Sequence, residues 1–435
     1  MLDTNQQAKG WAWTRALASR NYRLYLFGQA ISLIGTWMQQ VALSWLLYRL
    51  TGSSLWLGLI GFASQLPMLL LGPFAGVAAD RWDRHRALVI TQSLSMGQAM
   101  LLLLVTRSHD PPVLVLLGLG VLLGTINAFD MPIRQAFLSE IVTERGHLGN
   151  AIALNSSVVN GARLLGPSLA GMIIAAWGES ACFLLNALSY GAVLGALFAM
   201  QPLPRRKQSA VASVGRHLLE GMGYAFGFPP IRALIIMTAV ISVLATPLSI
   251  LMPVFAKVHF HGDAATQGLL MGAMGAGAVA GAMYLASRQS VLGLGIVITW
   301  TAACFGLGLI GFSLVASLPL ALAALAIVGF CMMLHLSACN TLLQTLVDED
   351  KRGRVMSFFS MAFLGTAPLG ALLAGSLGEQ IGAPATVRCA GVVALVASAI
   401  LATQLSRLRR LTRPVYERIG VLPPPATAKI NETRV

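Results

Sequence analysis

Acidic side chains are scarce in this sequence. Sixteen Asp and Glu stand against thirty Lys and Arg, and the four types together make up 11% of 435 residues. So small a charged fraction beside 56% hydrophobic residues excludes the soluble classes and leaves an integral membrane protein. The five cysteines (Cys182, Cys304, Cys331, Cys339 and Cys389) form no CxxC pair and all lie in apolar runs, so they read as small packing residues and not as a disulfide or zinc framework. None of the five lysines follows a glycine, which removes the GxxxxGK(S/T) loop that would hold ATP phosphates. A GxSxG elbow, an HExxH helix and paired membrane carboxylates are also missing, so no enzyme, cofactor or metal centre is expected. The opening MLDTNQQAKG carries no short apolar core with a cleavage site, and the first apolar run is expected to act as its own insertion signal.

The net charge of +14 would suggest nucleic acid in a soluble chain. Here the basic residues crowd into short loops and tails, where they orient a membrane protein and meet anionic lipid, so no nucleic-acid partner is expected. Twelve apolar runs are each long enough to cross the roughly 30 Å hydrocarbon core, the first at 24–47 and the last at 385–405. Four basic residues (Arg49, Arg107, Lys257 and Arg388) fall toward one side, Arg163 lies within a span, and all the others fall on the side that carries both termini. By the positive-inside rule that side is the cytoplasm. The expected divisions are an interfacial N-terminus (1–23), a six-span bundle (24–200), a cytoplasmic linker (201–231), a second bundle (232–405) and a cytoplasmic tail (406–435).

The two halves resemble each other. RQAFLSEIVTERGHLGNA with LLGPSLAG answers LLQTLVDEDKRGRVMS with PLGALLAG, so that Gln135 aligns with Gln344, Gly166 with Gly370 and Gly171 with Gly375. A parallel repeat of six spans implies a pathway between the halves. The most charged turn is GVAADRWDRHR (Gly76–Arg86), which must be a water-facing hand-over between two spans.

With Gly76, Asp80, Arg81, Arg84 and Arg86 in place, this turn resembles the loop 2–3 signature of the major facilitator superfamily, although Asp83 stands where many members have glycine. With AFDMPIRQAF, RLLGPSLAG and NTLLQTLVDEDKRGRVMS, the chain is most similar to the bacterial branch of macrolide-efflux proteins and enterobactin exporters. The resemblance implies an all-α membrane protein of twelve transmembrane helices in two pseudo-symmetric six-helix bundles. It also implies a latch in which Asp80 faces the start of span 11 near Arg354, with Arg134 as a second partner, and which closes the cytoplasmic side. A helix N-terminus favours such a carboxylate; the alternative is that the charges merely solvate a turn. Gly161, Gly166, Pro167 and Gly171 form a partial antiporter motif, with Ala170 in place of its last paired glycine. Gly72 with Gly76, and the run GLLMGAMGAGAVAGA, read as helix-packing surfaces.

Deep charges are costly in hydrocarbon, so Asp130 and Arg163 need partners or a wet cavity. Two compatible readings stand: an ion pair of Asp130 with Arg163 or Arg134, and a role in proton coupling or substrate binding. Helical spacing proposes a cavity lined by Gln29, Thr36 and Gln40 of span 1, by Thr238, Ser242 and Thr246 of span 7, and by Met332, His335 and Asn340 of span 10. Mixed polar and methionine walls suit a large amphipathic solute. The expected function is a proton-exchanging secondary exporter of a drug-like or siderophore-like molecule in the bacterial inner membrane, acting as a monomer among lipids. The alternatives are a lipid or lysolipid flippase and a non-transporting membrane sensor or assembly partner.

Overall fold

A computed structural model of the chain describes residues 12–108, 110–142, 145–201, 223–288, 290–349 and 351–422, without the side chains at 12–14, 73, 77, 80 and 145. Most of the expected linker, the far end of the tail and the first residues of the N-terminus therefore lie outside the described residues.

Twelve helices long and apolar enough to cross a membrane follow one another. The first six are α1 (Arg20–Thr51), α2 (Ser54–Arg81), α3 (Arg84–Thr106), α4 (Val113–Ile141), α5 (Leu148–Trp177) and α6 (Glu179–Phe198). The second six are α7 (Pro229–His259), α8 (Ala264–Ser287), α9 (Leu294–Leu314), α10 (Leu318–Leu346), α11 (Arg352–Ile381) and α12 (Ala383–Arg418). In hydrocarbon a backbone N–H or C=O has no water to bond, so apolar runs of this length become helices and break where charge or glycine reaches an aqueous edge. Asp83, for example, caps α3 by accepting a hydrogen bond from the Arg86 N–H at 3.1 Å. With twelve crossings, α1 begins and α12 ends on the side of the Arg81–Arg86 turn, here termed the basic end.

Helices α1–α6 and α7–α12 form two six-helix bundles related by pseudo-symmetry. The fifth helix of each bundle packs on the second helix of the other, α5 on α8 and α11 on α2. Both seams are backbone against backbone. A Cβ on Gly58 would lie 2.7 Å from the Ala371 carbonyl oxygen and from Gly375 Cα, and a Cβ on Gly268 would lie 2.6 Å from the Pro167 carbonyl oxygen. Small residues permit that approach, and without a hydrophobic drive between helices, close packing is what holds them. Gln267 Nε2 of α8 donates to Ser44 Oγ of α1 at 3.0 Å, and Lys257 Nζ of α7 lies 5.7 Å from the Tyr48 ring centroid, closing the end opposite the basic one.

Toward the basic end the bundles part. The last approach is Leu69 of α2 to Gly365, where a Cβ would meet the leucine at 3.2 Å; beyond it Gly72, Gly76, Gly161 and Gly353 have no heavy atom within 4 Å of a Cβ position. Helix α11 has a wide π-helical turn at Met361–Gly365, on the level where the parting begins, and Ser242 Oγ of α7 donates to the Phe363 carbonyl there at 2.5 Å. Gly72 and Gly76 are thus not packing residues in this conformation, contrary to the reading of their spacing. They face the open side. The glycine run of α8 does pack, on α5 through Gly268, Gly272 and Gly275 and on α10 through Gly277 and Gly281.

The expected tail begins as helix. Helix α12 runs on to Arg418 because Leu408, Val415 and Tyr416 recur at helical spacing and pack on the second bundle's core. Arg418 then pairs with Asp348 at 2.9 Å, and the Tyr224 hydroxyl donates to the same carboxylate at 3.1 Å, tying α12 to the connection between α10 and α11.

The crossing of α8 and α10 gives a direct test of the packing. A Cβ on Gly277 would strike the Ala326 carbonyl and one on Gly329 the Met274 carbonyl. Gly329→Leu is expected to destabilise the protein by about 1–3 kcal/mol through overpacking, read as a lower thermal unfolding midpoint in detergent, whereas Gly97→Leu, at a position with open space around it, leaves the midpoint near that of the wild type.

Candidate functional site

The space between the bundles is open at the basic end and shut at the other, where α2 meets α11 and α5 meets α8. Arg163 stands near the middle of α5. Its guanidinium carbon lies 5.3 Å from the Trp37 ring centroid, a cation–π distance, and among the described residues no carboxylate pairs with it. Trp37 is itself held by the bare face of Gly166, whose Cβ position meets the Trp37 side chain. The antiporter-like stretch is therefore split in role. Gly166 seats an aromatic ring of α1, while Gly171, with Ala264, Ala265 and Gly268 of α8 around it, belongs to the seam. Pro167 is buried beside that seam, and Gly161 faces open space.

Asp130 of α4 is 2% exposed and fully engaged. Thr91 Oγ1 and Gln92 Nε2 of α3 each donate to its Oδ1 at 2.7 Å, and Arg134 pairs with its Oδ2 one helical turn further along α4. Of the two partners expected for Asp130, the structure supplies Arg134, while Arg163 lies over the Trp37 ring. The reason is reach. Arg134 is at i+4, on the same face of the same helix, whereas Arg163 points to α1.

At the turn itself, Arg84 pairs with Glu140 of α4 and its Nε donates to the Ala79 carbonyl at 3.1 Å. His85 Nε2 lies 2.9 Å from the Leu197 carbonyl of α6, and Trp82 stacks on Phe129 with centroids 5.9 Å apart. Arg86 is an exposed partner of Asp83 at 3.7 Å, and Arg81 closes α2. These bonds fix the turn onto its own bundle. The side chain of Asp80 lies outside the described residues, and Gly76, one turn before it, has no neighbour from α11. Among the described residues, the glycines at the basic ends of α2 and α11 (Gly72, Gly76 and Gly353) show no close approach between the two helices.

The nine cavity candidates divide. Thr36, Gln40, Thr246, Met332 and Asn340 are at least partly accessible. Thr36 shares a 3.4 Å hydrogen bond with the Tyr190 hydroxyl, and Asn340 accepts from Gln344 on the next turn. Gln29, Thr238, Ser242 and His335 are buried and do not line the cleft. His335 Nδ1 bonds the Ile298 carbonyl of α9 at 3.0 Å, Thr238 donates back to Leu234, and Ser242 serves the wide turn of α11. Helical spacing puts polar residues on a common face without telling which neighbour that face meets. A buried polar chain also escaped the sequence reading. Asn186 Nδ2 donates to Gln39 Oε1 at 2.8 Å, Gln39 Nε2 to Gln98 Oε1 at 3.0 Å, and Gln98 Nε2 to the Leu119 carbonyl at 3.1 Å, locking α6, α1, α3 and α4 together. Its signal was there in three amides standing inside apolar runs.

A separate cavity of about 540 Å³ lies inside the second bundle at the basic end, walled by Leu234, Ile296, Leu342, Leu401 and Leu405 with Arg409 and Arg413 among its lining residues. None of the deep charges borders it, so it is not the pathway between the bundles.

Comparison with known proteins agrees with this architecture. The family model described as transmembrane secretion effector matches residues 11–433. The chain is 25% identical over 372 residues to the staphyloferrin A transporter of Staphylococcus aureus, covering 85% of this chain and 92% of that one. It is 27% identical over 400 residues to the multidrug efflux pump Tap of Mycolicibacterium fortuitum, with 89% and 96% covered. Macrolide efflux protein A of Streptococcus pyogenes is 23% identical over 393 residues, with 88% and 95% covered. Among solved structures, a bacterial homologue of the human lysosomal transporter Spinster in an inward-facing conformation superposes with a TM-score of 0.67 at 16% identity, over 91% of this chain and 98% of that one. Twelve spans in two pseudo-symmetric bundles, a single-mouthed cleft between them and a family match along nearly the whole chain place this protein in the transmembrane secretion effector family of the major facilitator superfamily, as a multi-pass membrane transporter.

Proposed function

We propose that the chain is a secondary active exporter that moves an amphipathic small molecule out of the cell by alternating access, in exchange for protons. The observation that carries this reading is the asymmetry of contact between the bundles, closed across α2–α11 and α5–α8 at one end and apart at the other. A rigid pair of bundles that can touch at either end, around a fixed site, is an alternating-access machine. The basic end is assigned to the cytoplasm, with both termini there and the membrane the bacterial inner membrane, so the cleft described here is the loading state of an exporter. The resting unit is a monomer in lipid.

In this scheme Arg163 and Trp37 receive an anionic, electron-rich part of the cargo, and Thr36, Gln40, Met332 and Asn340 meet the remainder. A desolvated guanidinium without a carboxylate partner favours such a group. Relatives named for staphyloferrin A, for many drugs and for macrolides support a large, partly polar cargo. Asp130 carries the coupled proton, and its release from Thr91, Gln92 and Arg134 accompanies movement of α3 against α4. In the opposite state the turn Gly76–Arg86 meets the start of α11, with Asp80 facing the helix N-terminus and Arg134 beside it.

Two outcomes are expected in proteoliposomes. Erythromycin or a ferric-free citrate siderophore should accumulate when a pH gradient is imposed, and transport indifferent to collapse of that gradient would remove the exchange for protons. Asp130→Asn is expected to lower gradient-driven flux roughly tenfold or more while leaving counterflow exchange of cargo in place. For the binding site, Arg163→Lys should retain part of the affinity for an anionic cargo and Arg163→Gln should lose about tenfold or more, measured by equilibrium binding, with neutral cargo affected little. Equal loss for neutral and anionic cargo would remove the anion-binding role.

A further inference from the structure

The first residues of α2 are capped from the other bundle. Ser53, the residue before α2, makes no side-chain bond that caps its own helix. Instead one oxygen of Glu379, near the end of α11, accepts three hydrogen bonds: from Ser53 Oγ at 3.0 Å, from the Ser54 N–H at 2.7 Å and from the Leu55 N–H at 3.2 Å. The first N–H groups of a helix have no partner within it and carry the positive end of its dipole, so a carboxylate placed there makes charge-assisted bonds. The pseudo-symmetric helix α8 is built differently. Asp263, directly before it, accepts from the Thr266 N–H at 3.1 Å, and Thr266 returns the favour in a capping box within one chain segment. Gly171, the counterpart of Gly375, is followed at the position matching Glu379 by Ala175, so the α5–α8 seam has no equivalent carboxylate.

We infer that Glu379 is the positioning residue that holds the end opposite the basic one shut, by capping α2 across the bundle interface, and that its removal shifts the protein toward the conformation open at that end. The inference rests on the alternating-access reading above. Separation of α11 from α2 would strip three donors from the carboxylate and leave two backbone N–H groups of α2 to water, whereas separation of α8 from α5 leaves the Asp263 cap intact. The two seams are alike in their glycines and unlike in their charge. The α2–α11 seam is the conditional one.

The test uses spin labels at Asp110→Cys and Ala316→Cys, exposed positions in the α3–α4 and α9–α10 connections of the two bundles, in a background with the native cysteines replaced by alanine. Distances are measured with and without erythromycin at pH 5 and pH 8. Glu379→Ala is expected to raise the ratio of the wide to the narrow population about tenfold, Glu379→Gln to raise it less, and Glu379→Asp to stay nearest the wild type. Asp263→Ala, which removes a cap made within one segment, should lower thermal stability and leave the ratio unchanged. A wild type that changes its distances beside a Glu379→Ala variant with the same distribution overturns the latch alone, as does an equal shift in Asp263→Ala. A wild type fixed at one distance under every condition overturns the alternating-access reading, and the latch with it.

Discussion

Backbone meeting backbone between Gly58 and Gly375, and again between Gly171 and Gly268, is the contact on which the rest of this structure depends. Lipid tails offer helices an environment as apolar as any leucine, so two bundles stay together only where they fit closely or exchange hydrogen bonds. Both occur here at one end. The four glycines let the helices touch without side chains between them, and Gln267 with Ser44 adds a polar bond across the same closure. From this follow the other features: a mouth at the basic end, the wide turn of α11 where the helices begin to diverge, and the open space at Gly72 and Gly76 on the α2 stripe that Gly58 begins.

Charge is distributed to match. Within the first bundle, Asp130 takes hydrogen bonds from Thr91 and Gln92 and is neutralised by Arg134; at the basic end Arg84 and Glu140 tie α3 to α4. These pairs hold helices within one bundle, so they survive a movement of one bundle against the other. Arg163 differs because its contact is an aromatic ring of α1 and no carboxylate is paired with it among the described residues. A half-buried cation left in that condition is costly to the resting protein, and in the functional scheme the cargo supplies what the fold withholds.

Much of the fold could be read from the residues. Twelve runs of apolar length, the charged turn at Gly76–Arg86 and the alignment of Gly171 with Gly375 already point to two pseudo-symmetric bundles, because hydrocarbon leaves the backbone few choices. Site residues were less legible. Asp130 and Arg163 stand out as ions in apolar sequence, yet which arginine pairs with Asp130 depended on side-chain direction along α4. Polar residues at helical spacing gave a stripe for span 7 and another for span 10, but Ser242 and His335 turned inward to carbonyls of neighbouring helices and Thr238 to the Leu234 carbonyl of its own helix. The pairing of Glu379 with α2 could not be seen at all, since the partners are more than three hundred residues apart and carry no motif.

The division between the closure and the walls of the cleft has a bearing on how such proteins diversify. The closure is built from glycine backbones, where an added side chain would strike the facing helix, while the accessible Gln40, Met332 and Asn340, assigned to the cargo in the functional scheme, take no part in it. Point changes in the walls can therefore alter which molecule is accepted without opening a hole for ions. A lineage can retune its cargo one residue at a time and remain watertight throughout.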